Sequence, residues 1–140
     1  MCSSDLDATG TRIRYGNNNG TPDFDLLGGK GLPPTSTWHH LAIVRRSNTV
    51  YGYLNGVQTN STTDNTNYSV NTSFAIGNSG GTGSLALNGY MSDVRILKGT
   101  GYSSATVPTS PLTAITNTQL LCNMTNAGIP DSAKIGRAHV

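Results

Sequence analysis

The sequence predicts an all-β fold of antiparallel strands stacked as a sandwich, and three observations carry that prediction. Val, Ile, Leu, Tyr and Trp are concentrated in short runs bounded by Gly, Asn, Ser and Pro, and β-branched and aromatic side chains suit a pleated, half-buried surface. No segment sustains the 3.6-residue apolar period of an amphipathic helix. The third observation is Asn55-Gly56, set between two apolar runs. Both central residues of a type I′ turn need positive φ, which Gly tolerates freely and Asn better than most. Leu54 and Val57 are therefore expected to face each other across a tight hairpin.

In chain order, Thr11-Arg12-Ile13-Arg14-Tyr15 alternates as a strand and Gly16 to Gly20 ends it as a turn. Phe24, Leu26 and Leu27 are expected to form a short strand before Gly28-Gly29-Lys30-Gly31. That glycine cluster lacks the G-x-x-x-x-G-K-[ST] pattern of a phosphate loop and reads as a turn. Pro33-Pro34 halts regular structure. From Trp38 to Arg45, Trp38, His40, Ala42 and Val44 share one face while His39, Leu41 and Ile43 share the other. Both faces are largely apolar, which predicts a central strand. A turn at Ser47-Asn48 leads into Val50 to Leu54, and Asn55-Gly56 leads into Val57-Gln58-Thr59.

Asn60 to Asn71 reads as a polar tract too hydrophilic to bury. Ser73 to Gly77 is the next strand, and Asn78 to Ser84 a glycine-rich loop. Leu85 to Leu97 reads as one long strand or a bent pair, and a break in alternation predicts a bulge near Ser92-Asp93. Lys98 to Ala114, with Pro108 and Pro111, should be an extended connection laid over the sandwich. Gln119 to Met124 is the last expected strand, with Cys122 a small core residue within it.

The two ends read as foreign to the fold. Ile135 to His139 can be encoded ATC GGA AGA GCA CAC, whose reverse complement reads Met1 (a GTG start) to Asp5; this is the sequence of a common sequencing adapter. Residues 1–6 and 135–140 are therefore expected to be adapter-derived ends of an environmental fragment, with residues 7–126 a partial, N-terminally truncated domain and 127–134 a linker or the start of a further module. Cys2 then belongs to an artefact, so no internal disulfide is expected.

Composition excludes some functions. A formal net charge of +2, from scattered Lys and Arg, is no nucleic-acid footprint. No apolar run approaches a membrane span, so no membrane insertion is expected. Every acidic residue is Asp, and the chain contains no Glu.

Three stretches together resemble the concanavalin A-like lectin/glucanase superfamily, in its laminin G-like branch. They are Trp38-His39-His40-Leu41-Ala42 with the Y-x-N-G hairpin that follows, Phe74-Ala75-Ile76-Gly77, and Gly89-Tyr90-Met91-Ser92-Asp93-Val94-Arg95-Ile96. The resemblance implies an antiparallel jelly-roll sandwich acting as a non-catalytic carbohydrate-binding or adhesion module. The expected setting is a larger phage tail-associated or bacterial extracellular protein, on a virion or cell surface, with a glycan or cell-surface polysaccharide and neighbouring domains of the same chain as partners. The alternatives are a spacer or oligomerisation module of a fibre, or a glycoside hydrolase fragment lacking its catalytic strand.

Glucanase members carry paired Glu residues, and glycoside hydrolysis needs two carboxylates flanking the scissile bond. This chain has no Glu to supply them, so no enzyme is expected. His39 and His40 are adjacent on a strand, point to opposite faces and cannot chelate one ion together. His40 is expected as a hydrogen-bonded core or interface residue. Sugar binding uses an aromatic face with planar polar groups, which makes Tyr51, Tyr53, Tyr68 and Asn78 the ligand-binding candidates, at least one of Tyr51 and Tyr53 being expected in the core. Laminin G-like modules often bind calcium through loop oxygens; Asp64 and Asn78 are the metal candidates. Asp93 is expected to be structural, pairing with Arg95 or with neighbouring backbone.

Overall fold

A computed structural model describes residues 14–15, 24–65, 76–77, 87–99 and 101–124. All of its strands pair antiparallel, and the described residues contain no helix. The strands are β1 (Arg14–Tyr15), β2 (Phe24–Asp25), β3 (Leu41–Arg46), β4 (Thr49–Leu54), β5 (Val57–Thr63), β6 (Val94–Leu97) and β7 (Thr118–Cys122). They form a β1-β2 ribbon, a β3-β4-β5 sheet and a β6-β7 ribbon. The chain divides into two compact units, residues 1–88 with 101–107, and residues 89–100 with 108–140.

In the first unit the expected hairpin is present. Leu54 pairs with Val57, and Asn55 and Gly56 take φ of 50° and 81°, as a type I′ turn requires. The β3–β4 connection is equally tight, since Arg46 pairs with Thr49 and Ser47 sits at φ 51°. Within β3 the predicted alternation holds, with Ile43 paired to Gly52 and packed on the core and Val44 paired to Tyr51, while Trp38, His39 and His40 lie outside the strand. The predicted central position of Trp38 to Arg45 does not hold. β3 is an edge strand of the sheet as described, starts only at Leu41, and β4 is central. Being apolar on both faces reports cover above and below, whereas centrality means hydrogen bonding along both edges, and sequence alternation sees only the first.

One cover is the β2 segment. Phe24, Leu26, Leu27 and Val50 form the buried core, with Ile43 and Leu54 packed against it. Leu26 and Leu27 do this from a turn, not the expected strand. The Asp25 carboxylate holds that turn, its Oδ1 accepting from the Leu27 N–H and its Oδ2 from the Gly29 N–H, both at 2.9 Å. Gly28, Gly29 and Gly31 take φ of 60°, 77° and 81°, a backbone course open to Gly at little cost.

A bulge in β5 aims two polar side chains at this turn. Gly52 pairs with Asn60 and Tyr53 with Gln58, leaving Thr59 as the extra residue. The Thr59 hydroxyl donates to the carbonyls of Leu26 and Gly52, and Asn60 Nδ2 donates to Asp25 O at 2.7 Å. β5 also runs to Thr63, four residues beyond the expected end. Its outer half is polar and mostly exposed, and is held by the ladder to β4 rather than by burial.

The connection expected to lie over the fold does so along residues 101–107. A Cβ on Gly101 would sit 2.7 Å from Arg45 O and 2.5 Å from Arg46 Cγ, and one on Gly56 would sit 3.3 Å from Ala105 O. The segment therefore meets the sheet at both ends, and Ala105 is buried.

In the second unit, β6 pairs with β7 and the register shifts between Ile96 and Leu97, leaving Gln119 as the extra residue. The bulge expected near Ser92-Asp93 is not formed, because residues 87–93 are not strand. Alternation breaks at Asp93 because its backbone turns left-handed, φ 53°. Leu121 and Cys122 are buried and Cys122 is a free thiol.

Asp93 staples this unit. Its Oδ1 accepts from Asn123 Nδ2 at 2.7 Å and from the Leu112 N–H at 3.2 Å, and its Oδ2 accepts from the Ser92 hydroxyl at 3.1 Å. Asn123 Nδ2 also donates to Leu112 O. Arg95, the other expected partner, donates instead to Thr113 O.

Candidate functional site

Among the described residues, the turn end of the β4–β5 hairpin carries a developed polar arrangement that is also open to solvent. Asn55 Oδ1 accepts the His40 backbone N–H at 2.9 Å, and the Asn55 N–H donates to His40 O at 2.8 Å. The amide orientation is thereby fixed, because a backbone N–H can only donate. Asn55 Nδ2 then faces His39 Nδ1 at 3.1 Å, and His39 Nε2 lies 2.9 Å from Pro34 O. An amide nitrogen donates and a carbonyl accepts, so in this arrangement His39 accepts at Nδ1 and donates from Nε2. The chain of bonds runs from Pro34 through His39 and Asn55 to His40.

Trp38, next in the chain to this network, lies at the surface. The indole is 69% exposed, and Val57, on the other side of the turn, is 67% exposed. The sequence reading missed Trp38 as a surface residue because it assigned Trp38 to a strand with two apolar faces, where a large ring is normally buried. Trp38 lies ahead of β3, in residues 31–40 that are not strand, and the sequence signal for that irregular stretch is Pro33-Pro34 at its start.

The tyrosine candidates divide. Tyr53 is buried at 4% exposure, so its ring has no free face for a sugar. Tyr51 is half-buried and the Arg46 guanidinium lies over it, 4.0 Å from the ring centroid, so a cation occupies the face that a pyranose would use. Tyr68 and Asn78 lie outside the described residues.

Asp64 is buried at 3% exposure. Its N–H donates to Asn48 O at 2.8 Å, and its carbonyl accepts from Arg45 Nη2 at 2.9 Å. It ends β5 against the β3–β4 turn and not on the open rim where a calcium ligand was expected. Among the described residues no group of three or more His, Cys, Asp and Glu converges, and Asn78, the second metal candidate, falls outside them.

His40 differs from its expected hydrogen-bonded state in the ring. Nδ1 is buried and finds no hydrogen-bond partner among the described residues, and burial holds its pKa below the usual 6.5. The unfolded chain then binds the proton more readily than the folded one, so His40 lowers stability as pH falls below about 6.5. A His40→Gln variant is expected to show a shallower stability loss between neutral and mildly acidic pH than the parent, read from denaturation midpoints across pH. Equal slopes would remove His40 as the cause.

A family model described as the concanavalin A-like lectin/glucanases superfamily, in its laminin G branch, matches residues 3–107. Searches of curated proteins and of solved structures returned no match. The match spans well over half of the chain and takes in β1 to β6, leaving β7 outside. The chain therefore belongs to the laminin G family of the concanavalin A-like lectin/glucanase superfamily.

Proposed function

We infer that this chain is a non-catalytic carbohydrate-binding module, its strands forming part of a jelly-roll sandwich and its hairpin end contacting the ligand. The observation that carries this reading is Trp38, a 69% exposed indole next in the chain to the His39–Asn55 pair. An exposed aromatic ring beside planar polar groups is the combination that stacks on a pyranose and bonds its hydroxyls. The chain contains no Glu, which favours binding over hydrolysis. The partner is a glycan or cell-surface polysaccharide, and the setting is a larger phage tail-associated or bacterial extracellular protein.

A second reading, a spacer or oligomerisation module, draws on the same exposure. Trp38 and Val57 leave large apolar side chains in water, and such surfaces also serve self-association. A glycan array followed by calorimetric titration, with and without calcium, and a solution mass measurement separate the two. The binding reading expects a saturable glycan interaction that Trp38→Ala weakens by more than about tenfold, the usual cost of truncating an aromatic anchor. Because the ring is mostly in water, the same variant should melt within a few degrees of the parent. Concentration-dependent mass with no glycan binding would favour the spacer instead.

A further inference from the structure

The network that fixes the hairpin turn also fixes the side chain of a chemically labile pair. Asn followed by Gly is prone to deamidation, because Gly places no side chain in the way of its own backbone nitrogen. The Gly56 nitrogen gives up its proton to solvent and attacks Asn55 Cγ. The Cγ–Nδ2 bond breaks, Nδ2 takes up a proton and leaves as ammonia, and water opens the cyclic imide to aspartate or isoaspartate. Water is consumed and ammonia released, with no change of oxidation state.

We propose that Asn55 is a latched modification site, held unreactive by His39 and His40 and released when the hairpin end opens. For ring closure the carboxamide must swing toward the Gly56 nitrogen. Both of its ends are held elsewhere, Oδ1 by the His40 N–H at 2.9 Å and Nδ2 by His39 Nδ1 at 3.1 Å. The chain carries a comparator in Asn88-Gly89. Asn88 is exposed, no hydrogen bond holds its side chain among the described residues, and a Cβ on Gly89 would meet nothing within 4 Å. Among the described residues the same dipeptide thus occurs once clamped and once free. Conversion at Asn55 would replace the amide donor facing His39 Nδ1 with a carboxylate acceptor. Its isoaspartate form would add a backbone atom to a two-residue turn and disrupt the Leu54–Val57 pairing.

The inference is independent of the glycan reading, since its readout is chemical. The intact chain is aged in mildly alkaline buffer, folded and in concentrated urea. Digestion and mass spectrometry then follow the peptides that carry Asn55 and Asn88. In urea the two sites should convert at comparable rates. In the folded chain Asn55 should lag Asn88 by at least about tenfold, the order expected when two net hydrogen bonds must break first. His39→Leu, which removes the acceptor, should narrow that gap, while His39→Gln, whose Oε1 can still accept, should preserve more of it. Conversion of Asn55 in step with Asn88 in the folded parent chain would overturn the proposal whatever the variants do. So would an unchanged gap in a folded His39→Leu variant.

Discussion

Replacing Gly52 by Ala should destabilise the chain by about 1–3 kcal/mol, the range for forcing extra volume into a filled interior. In a strand interior the same change ordinarily stabilises by roughly 0.5–1 kcal/mol, because Gly loses more chain entropy on folding. The sign reverses here because Gly52 lies in the central strand, where the β2 turn descends on it. An added Cβ would stand 2.8 Å from Leu26 O, 3.0 Å from Phe24 Cε1 and 3.1 Å from Leu26 Cγ. Leu26 O cannot easily move, since the Thr59 hydroxyl and the Asp25-capped turn hold that segment. Denaturant midpoints measure the effect, with Gly89→Ala as the neutral control, where a Cβ meets nothing within 4 Å. A stabilised Gly52→Ala chain would mean that the β2 turn does not pack on this sheet.

The second large effect is expected at Asp93. Asp93→Ala removes the acceptor for Leu112, Asn123 and Ser92 and leaves a methyl side chain at φ 53°. A hydrogen bond to a charged group contributes about 1.5–3 kcal/mol, and Ala, unlike Asp, has no local side-chain hydrogen bond to offset a left-handed backbone that costs about 1 kcal/mol. A loss of about 2–4 kcal/mol from the unit holding β6 and β7 follows from these terms. Asp93→Asn keeps one acceptor oxygen and tolerates the backbone, so it should lose less. The Asn123 amide, with the Leu112 N–H and the Ser92 hydroxyl, holds the Asp93 carboxyl below its ordinary 3.8. Its stabilisation is therefore complete above that value and fades as pH falls through the lower folded value. Asp93→Asn should flatten that acid loss, and hydrogen exchange on β6 and β7 amides locates it. Unchanged exchange in both variants would show that the staple is dispensable.

Much of the β4–β5 hairpin was legible because its cause is local. Asn55-Gly56 dictates the turn, and alternation along Leu41 to Leu54 assigns the faces. Cys122 as a core residue was equally readable, from its apolar flanks. What alternation could not show was strand order, because edge or centre is decided by partners distant in sequence. It also could not place the β5 bulge at Thr59, which depends on the carbonyls of Leu26 and Gly52 arriving from other segments.

The candidate site was less legible for a related reason. Tyr51 and Tyr53 share a face, yet one is buried and the other lies under Arg46; residue type records suitability for sugar stacking but not exposure. Asp64 reads as a loop carboxylate until the ladder to β4 carries β5 as far as Thr63 and draws it inward. Alternation puts Trp38 on one face of a largely apolar strand and says nothing of its exposure. The His39–Asn55–His40 bonds beside it join residues 15 and 16 positions apart.

Trp38 is the sole tryptophan of the chain, so its fluorescence reads the hairpin end without labels. The account predicts that acrylamide quenches its emission almost as freely as that of a free indole, and that a glycan which binds the chain shields it. Emission already shielded in the ligand-free chain, or left fully quenchable at glycan saturation, would contradict the placement of the ligand at this turn.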